Sequence, residues 1–254
     1  MFYTSYKIWT TEATAKKNFG IVLLMGILPL LVKPSFLFAF TPVFSALAVS
    51  TFGGRSKNFR CALTCALILF LGIFVHCYMR YLRDPSKISF NKNQSGIAIA
   101  PFAFWNIYSR DISLDIPPSI AYPLMACVLF GKELFRKKYF WYSLLLFVVA
   151  CPIGILITET VERSDNGNLF WQVIICNYLM FLCTLKFHLG NVSSFRFRLY
   201  KVTTFTILFL SHIVCGYLYI CKYFYTASYT SSVKPTFFHQ TVHRKEYNDI
   251  GCFH

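Results

Sequence analysis

The densest run of residues able to do chemistry is Glu159-Thr160-Val161-Glu162-Arg163-Ser164-Asp165-Asn166-Gly167-Asn168, set between two long apolar stretches. Three carboxylates and a guanidinium held this close could bind a lipid headgroup, a sugar or a cation. Glu159 directly follows the uncharged run Tyr139–Thr158 and is therefore expected at the outer edge of the hydrocarbon. If the helix continued one turn past it, Glu159 would face Glu162 at i+3 and Arg163 at i+4, and the second pair could form a salt bridge. Asp165-Asn166-Gly167-Asn168 is a turn by residue type, since Asn and Gly tolerate positive φ. The plain alternative is a solvated hairpin with a local ion pair.

A second set is Arg80, Arg83 and Arg110, joined by Arg163. Guanidinium groups suit bidentate phosphate recognition, so together they could hold a lipid-linked phosphate or pyrophosphate. The alternative is that Arg80 and Arg83 anchor a helix end at the interface. Within the apolar runs, Gln172, Asn177, His76 and His212 are the polar exceptions. Such groups usually face other helices and hydrogen-bond there. His212-x-x-Cys215 would share one helical face, but metal ligation needs three or four converging ligands, and the sequence offers isolated pairs. No metal site and no cofactor is expected. No phosphate-binding Gly loop, nucleophile elbow, HExxH or EF-hand loop occurs.

The elements that must position these residues are apolar runs long enough for a bilayer. The fold class expected is all-α, a polytopic transmembrane bundle of about seven spans with a cytoplasmic N-terminus. The spans read as 18–32, 34–52, 61–79, 116–131, 139–158, 168–185 and 202–221 within a single membrane domain of residues 1–221. About 20 helical residues cover the roughly 30 Å hydrocarbon core. Hydrophobic residues make up 56% of the chain and charged residues 14%, too few charges to give a soluble domain of this size its surface. Residues 222–254 read as a polar, flexible tail.

Orientation follows from the basic residues. With the N-terminus inside, segments 1–17, 53–60, 132–138 and 186–201 lie inside and carry three, three, four and four Lys or Arg. The short outside connections carry Lys33 and Arg163 alone. The thirteen residues Gly96–Tyr108 would reach only about 20 Å as a helix. Were they to cross, every later loop would change sides and the charge asymmetry would vanish. An interfacial or re-entrant segment over 96–108 is the better reading, with Trp105 and Tyr108 at headgroup depth. The first hairpin, 18–52, could also enter and leave by the same face without altering anything downstream.

The net charge of +15 does not point to nucleic acid, because the basic residues gather at the ends of apolar runs. There they act as topology signals and contacts for anionic lipid. Nine of the ten cysteines lie in or beside apolar segments, the pattern of buried hydrophobes rather than a disulfide framework.

The leading functional expectation is a membrane-embedded component of envelope glycolipid or polysaccharide assembly, with an outward-facing polar site. Its partners would be membrane lipids and either a lipid-linked substrate or another membrane protein. In layout, a polytopic bundle with arginines on an extended outer loop, the chain is similar to envelope polysaccharide polymerases and ligases, without a shared motif. A small-solute transporter or channel would need polar residues converging at mid-depth, where Asn177 and His212 are the candidates. A non-catalytic scaffold or sensor would use the basic inner loops. Neither enzyme nor non-enzyme follows from the residues alone.

Overall fold

Eight helices and a two-stranded antiparallel ribbon account for the residues described by the structure, a computed structural model: 1–11, 16–52, 56–79, 97–103, 112–159, 169–192 and 199–229. In chain order these are α1 (Phe2–Thr11), α2 (Lys16–Val32), α3 (Ser35–Phe52), α4 (Lys57–Cys77), β1 (Ile97–Ile99), α5 (Ile112–Phe135), α6 (Lys138–Leu156), β2 (Ile157–Glu159), α7 (Trp171–Val192) and α8 (Leu199–Tyr229). Among the described residues five helices are long and apolar enough to cross a membrane: α3, α4, α6, α7 up to Asn191, and α8 from Leu199 to Leu218. The apolar part of α2, Asn18–Val32, is shorter, at about 22 Å. Helix α5 carries Pro117, Pro118 and Pro123, with the charged pair Lys132 and Glu133 in its last turn.

Local chemistry sets the ends of these helices. Pro34 biases Lys33 away from helical geometry and closes α2, and α3 starts one residue later with the Leu37 N–H donating to Pro34 O at 2.8 Å. Ser56 caps α4: its backbone is extended and its Oγ accepts the Phe59 N–H at 3.0 Å. Helix α6 stops where Ile157 turns extended (φ −110°, ψ 128°), at the β-branched pair Ile157-Thr158.

The chain divides into two compact units. The first comprises Met1–Phe104 and Phe130–Phe187. Its core holds Val22, Leu37, Phe40, Phe44, Leu69, Leu146 and Cys176, with Phe40 stacked on Phe44 at 5.3 Å. Cys65 Sγ lies 3.6 Å from Phe19 O, Gly26 abuts Leu69, and Gly72 abuts Leu30. Helices α2 and α4 therefore run parallel and in contact, and α3 returns antiparallel to them. At one end of this unit Trp9 stacks on Phe52, Tyr6 meets Tyr139, and Lys186 lies over Tyr139. That end gathers Lys7, Lys57, Arg60, the Arg136–Lys138 run and Lys186, and is called the basic end. At the other end Gly154 abuts Leu169 and Val173, Lys33 lies over Trp171, and the ribbon forms.

The ribbon pairs Ile97 with Glu159, Ala98 with Thr158 and Ile99 with Ile157. Bonds from Ala100 N to Leu156 O and Phe102 N to Ile155 O, each 2.9 Å, extend it. The opening residues of the 96–108 segment are thus a strand followed by a turn, at the end where α6 terminates. Phe102 has φ 59°, a left-handed conformation that costs a non-glycine residue about 1–2 kcal/mol. It sits where the chain leaves the ribbon. Pairing with β2 satisfies backbone groups that this position would otherwise leave without partners. Trp105, Tyr108 and the rest of that segment lie outside the described residues.

Helix α1 was absent from the expected elements, which placed residues 1–17 inside as a basic segment. Its Phe2, Ser5, Ile8 and Trp9 follow helical spacing. Ser5 and Ile8 are buried, Phe2 stacks on Tyr142 at 4.9 Å, and the Ser5 and Tyr142 hydroxyls are 2.8 Å apart. In the other direction, α4 presents Leu63, Leu67, Phe70, Leu71 and Phe74 outward, each more than two-fifths exposed. A soluble protein rarely leaves so continuous an apolar face open, and lipid is its natural cover.

The second unit comprises Trp105–Leu129 and His188–His254. Here Tyr122 of α5 stacks on Phe205 of α8 with centroids 4.3 Å apart and planes within 4°. Lys201 donates to Leu129 O. Helix α8 runs through Tyr229, so the tail expected from Lys222 begins as two further helical turns. No proline falls between Leu199 and Tyr229 to interrupt the helical ladder.

Candidate functional site

Glu159 ends β2 and is 4% exposed, although its sequence neighbours suggested the margin of a solvated hairpin. The strand alters the geometry expected of it. Side chains alternate along a strand, so Glu159 shares a face with Ile157. Helix α6 stops at Leu156 and does not reach Glu159. Glu162, Arg163, Asp165, Arg80, Arg83 and Arg110 lie outside the described residues.

The same end of the first unit carries a second polar group. Lys33, in the α2–α3 turn, holds its Nζ 4.9 Å from the centre of the Trp171 ring, a cation–π contact that ties this turn to the start of α7. Two residues beyond Lys33 is Ser35, and next to Trp171 is Gln172, both almost completely buried. Gln172 Nε2 donates to Leu169 O at 2.9 Å. Its Oε1 and the Ser35 Oγ are buried and without a hydrogen-bond partner among the described residues. A carboxylate, an amide carbonyl, a hydroxyl, an ammonium and an indole thus lie at one end of the bundle. That set suits a hydroxyl-rich, charged ligand: the carbonyl and carboxylate accept from sugar hydroxyls, the ammonium pairs with an anion, and the indole offers a stacking face.

Asn177 lies in α7 of the first unit, flanking the buried stripe Val173, Cys176 and Met180. His212 belongs to the second unit and ties two helices together. Its Nδ1 is 2.8 Å from Leu208 O on its own helix, and its Nε2 is 3.1 Å from Pro118 O on α5. Cys215, its expected companion on one face, is exposed. Among the described residues no group of three or more His, Cys, Asp or Glu converges as a metal site would require.

His188 escaped the sequence reading. Its Nε2 is 3.2 Å from Thr206 Oγ1, and its ring meets Phe205 edge-on at 4.7 Å. The charge on Lys186 ended the uncharged run at Leu185, whereas the helix continues to Val192. The available signal was spacing: Cys183 and Thr184 are followed four residues later by Phe187 and His188, all buried.

The nine cysteines among the described residues are free thiols. Thiol counts on the denatured protein, with and without reductant, are expected to agree. A difference of two would reveal a disulfide and contradict the arrangement of α4, α6 and α7.

The chain was compared with protein-family models, with curated proteins and with solved structures, and nothing matched.

Proposed function

We propose that this chain is an integral protein of the cell membrane, crossing seven times with its N-terminus cytoplasmic. Its ribbon end recognises the polar, phosphate-bearing head of a lipid-linked glycan used in envelope assembly. The observation that carries this reading is Glu159, a carboxylate buried to 4% exposure where a membrane-length helix ends. Ionisable groups withdrawn from water at such a position are costly and are generally kept for function. Glu159 would accept hydroxyls of the glycan, with Gln172 and Ser35 adding neutral hydrogen bonds. Arg80, Arg83, Arg110 and Arg163 remain the candidates for the phosphate, together with Glu162 and Asp165 for the sugar. The experiment is titration of the protein, in detergent or nanodiscs, with a polyprenyl-phosphate sugar. Saturable binding is expected, and a matching polyprenol without phosphate or sugar should bind far more weakly. Equal binding of both would defeat the reading.

The topology rests on charge and on shared ends. Residues 97–103 pair with the close of α6, at the end toward which α4 also runs, which favours a 96–108 segment that does not cross. Basic residues gather at the opposite end, as the positive-inside rule requires of a cytoplasmic face. Reporter fusions at Ser56 and Phe135 are expected inside, and one at Asn166 outside. Reversed signals at Phe135 and Asn166 would overturn this topology. A solute-transport reading has less support, because Ser45, Thr184 and Ser211 donate to carbonyls of their own helices rather than lining a shared path.

A further inference from the structure

We propose that the basic end of the first unit holds a binding site for the phosphodiester headgroup of an anionic lipid, built by Tyr6 of α1, Tyr139 of α6 and Lys186 of α7. This site lies at the opposite end from Glu159 and does not depend on the reading of the ribbon end.

Three helices bring these side chains together. The Tyr6 and Tyr139 rings meet edge-to-face with centroids 6.3 Å apart at 75°, and Lys186 Nζ lies 5.0 Å from the centre of the Tyr139 ring. Their polar groups are two phenolic hydroxyls and an ammonium. Burial pushes the Tyr6 phenol above its ordinary value, with Cys183 and Tyr3 adding to the effect, so at neutral pH this hydroxyl is protonated and can donate. The exposed run Arg136, Lys137 and Lys138 immediately precedes Tyr139 and adds positive charge. Among the described residues of this unit the carboxylates are Glu133, exposed near the end of α5, and Glu159, at the far end. Cations and hydroxyl donors with so little acid beside them fit a phosphate monoanion, which accepts charge-assisted hydrogen bonds from both group types.

The surface leading away from the cluster favours a lipid over a soluble phosphate. Tyr178, Leu182 and Lys186 stand at i, i+4 and i+8 along one face of α7, with Tyr178 61% and Leu182 39% exposed. A phosphodiester held at Lys186 would place its acyl chains along this apolar track toward the middle of the helix. Lys186 itself is exposed, with an alkyl stem long enough to reach headgroup depth.

The test uses the full chain in nanodiscs of phosphatidylcholine with an admixed fraction of phosphatidylglycerol. Lipid retained after gentle release is counted by native mass spectrometry. Wild type is expected to retain phosphatidylglycerol in preference to phosphatidylcholine. Lys186→Gln should lower that retention about tenfold, the weight of one charge-assisted hydrogen bond. Tyr6→Phe with Tyr139→Phe, which keeps both rings and their packing, should also lower it at an unchanged melting temperature. Lys57→Gln, at the same end but on another helix, should leave it near wild type. Equal losses in Lys186→Gln and Lys57→Gln would reduce the effect to diffuse charge and overturn the site, as would undiminished retention in the double Phe variant. Soluble glycerol phosphate forms the last arm: displacement of the retained lipid at comparable concentration would reassign the site to a soluble phosphate.

Discussion

Glu159→Gln is expected to weaken binding of a lipid-linked sugar phosphate roughly a hundredfold while leaving membrane insertion intact. The size follows from burial. A hydrogen bond from the ligand to a buried carboxylate contributes about 1.5–3 kcal/mol, and each roughly 1.4 kcal/mol is a factor of ten in affinity. Glutamine keeps the volume of the side chain and disturbs none of the backbone pairing between Glu159 and Ile97, so the ribbon should survive. Asp165→Asn is the comparison. Asp165 is itself a candidate sugar contact, and losing a single hydrogen bond there is expected to cost about tenfold, less than at Glu159. Binding isotherms for both variants, with melting curves alongside, check the ordering. Wild-type affinity in Glu159→Gln would reduce the carboxylate to a structural element of the ribbon and remove the main support for recognition at that end.

What could be read from the sequence, and what could not, divides along the range of the interactions. Five membrane-length helices are visible as uncharged runs, because a helix satisfies its own backbone and the bilayer demands length and apolarity of one segment at a time. Ribbon pairing between Ile97 and Glu159 joins residues far apart in the chain, and each strand is three residues long, too short for an alternating pattern to declare itself. Ile97, Ile99, Ile157 and Thr158 carried the weak β-branched signal that was there. Reading Glu159 as the edge of a helix followed from taking the uncharged run Tyr139–Thr158 as one helix, which a two-residue β-branched stop does not visibly interrupt. Helix α1 was hidden for a different reason. Its polar Ser5 is fully buried, its hydroxyl partnered by the Met1 and Phe2 carbonyls of its own helix and by the Tyr142 hydroxyl on a helix distant in sequence. Lys186 misled in the opposite direction, since a snorkelling lysine ends an uncharged run without ending a helix.

Gly154→Ala is expected to be the most destabilising of the glycine-to-alanine changes in the helices, by about 1–3 kcal/mol. The last turn of α6 passes the start of α7 so closely that a Cβ at Gly154 would collide with Val173 Cγ2 and come within 3.3 Å of Leu169 O and 3.4 Å of Phe170 Cα. Two of these three neighbours are backbone, which cannot rotate aside. At Gly26 and Gly72 an added Cβ would meet the tips of Leu69 and Leu30, flexible side chains that can yield. At Gly131 and Gly190 it would meet nothing within 4 Å, and alanine there should be neutral or stabilise by roughly 0.5–1 kcal/mol through its lower conformational entropy in the unfolded chain. Melting or denaturant unfolding in detergent should rank Gly154→Ala lowest, Gly26→Ala and Gly72→Ala between, and Gly131→Ala and Gly190→Ala at or above wild type. Small residues let helix backbones approach where lipid offers no hydrophobic drive between them. The contact at Gly154 therefore also fixes where β2 emerges relative to Gln172. A variant that pushes α6 from α7 should move Glu159 away from its neighbours, so Gly154→Ala is expected to lose ligand affinity together with stability, whereas Gly26→Ala loses stability alone. Equal melting of Gly154→Ala and Gly190→Ala would mean that α6 and α7 do not approach this closely, and the ribbon end would lose the support that sets its geometry.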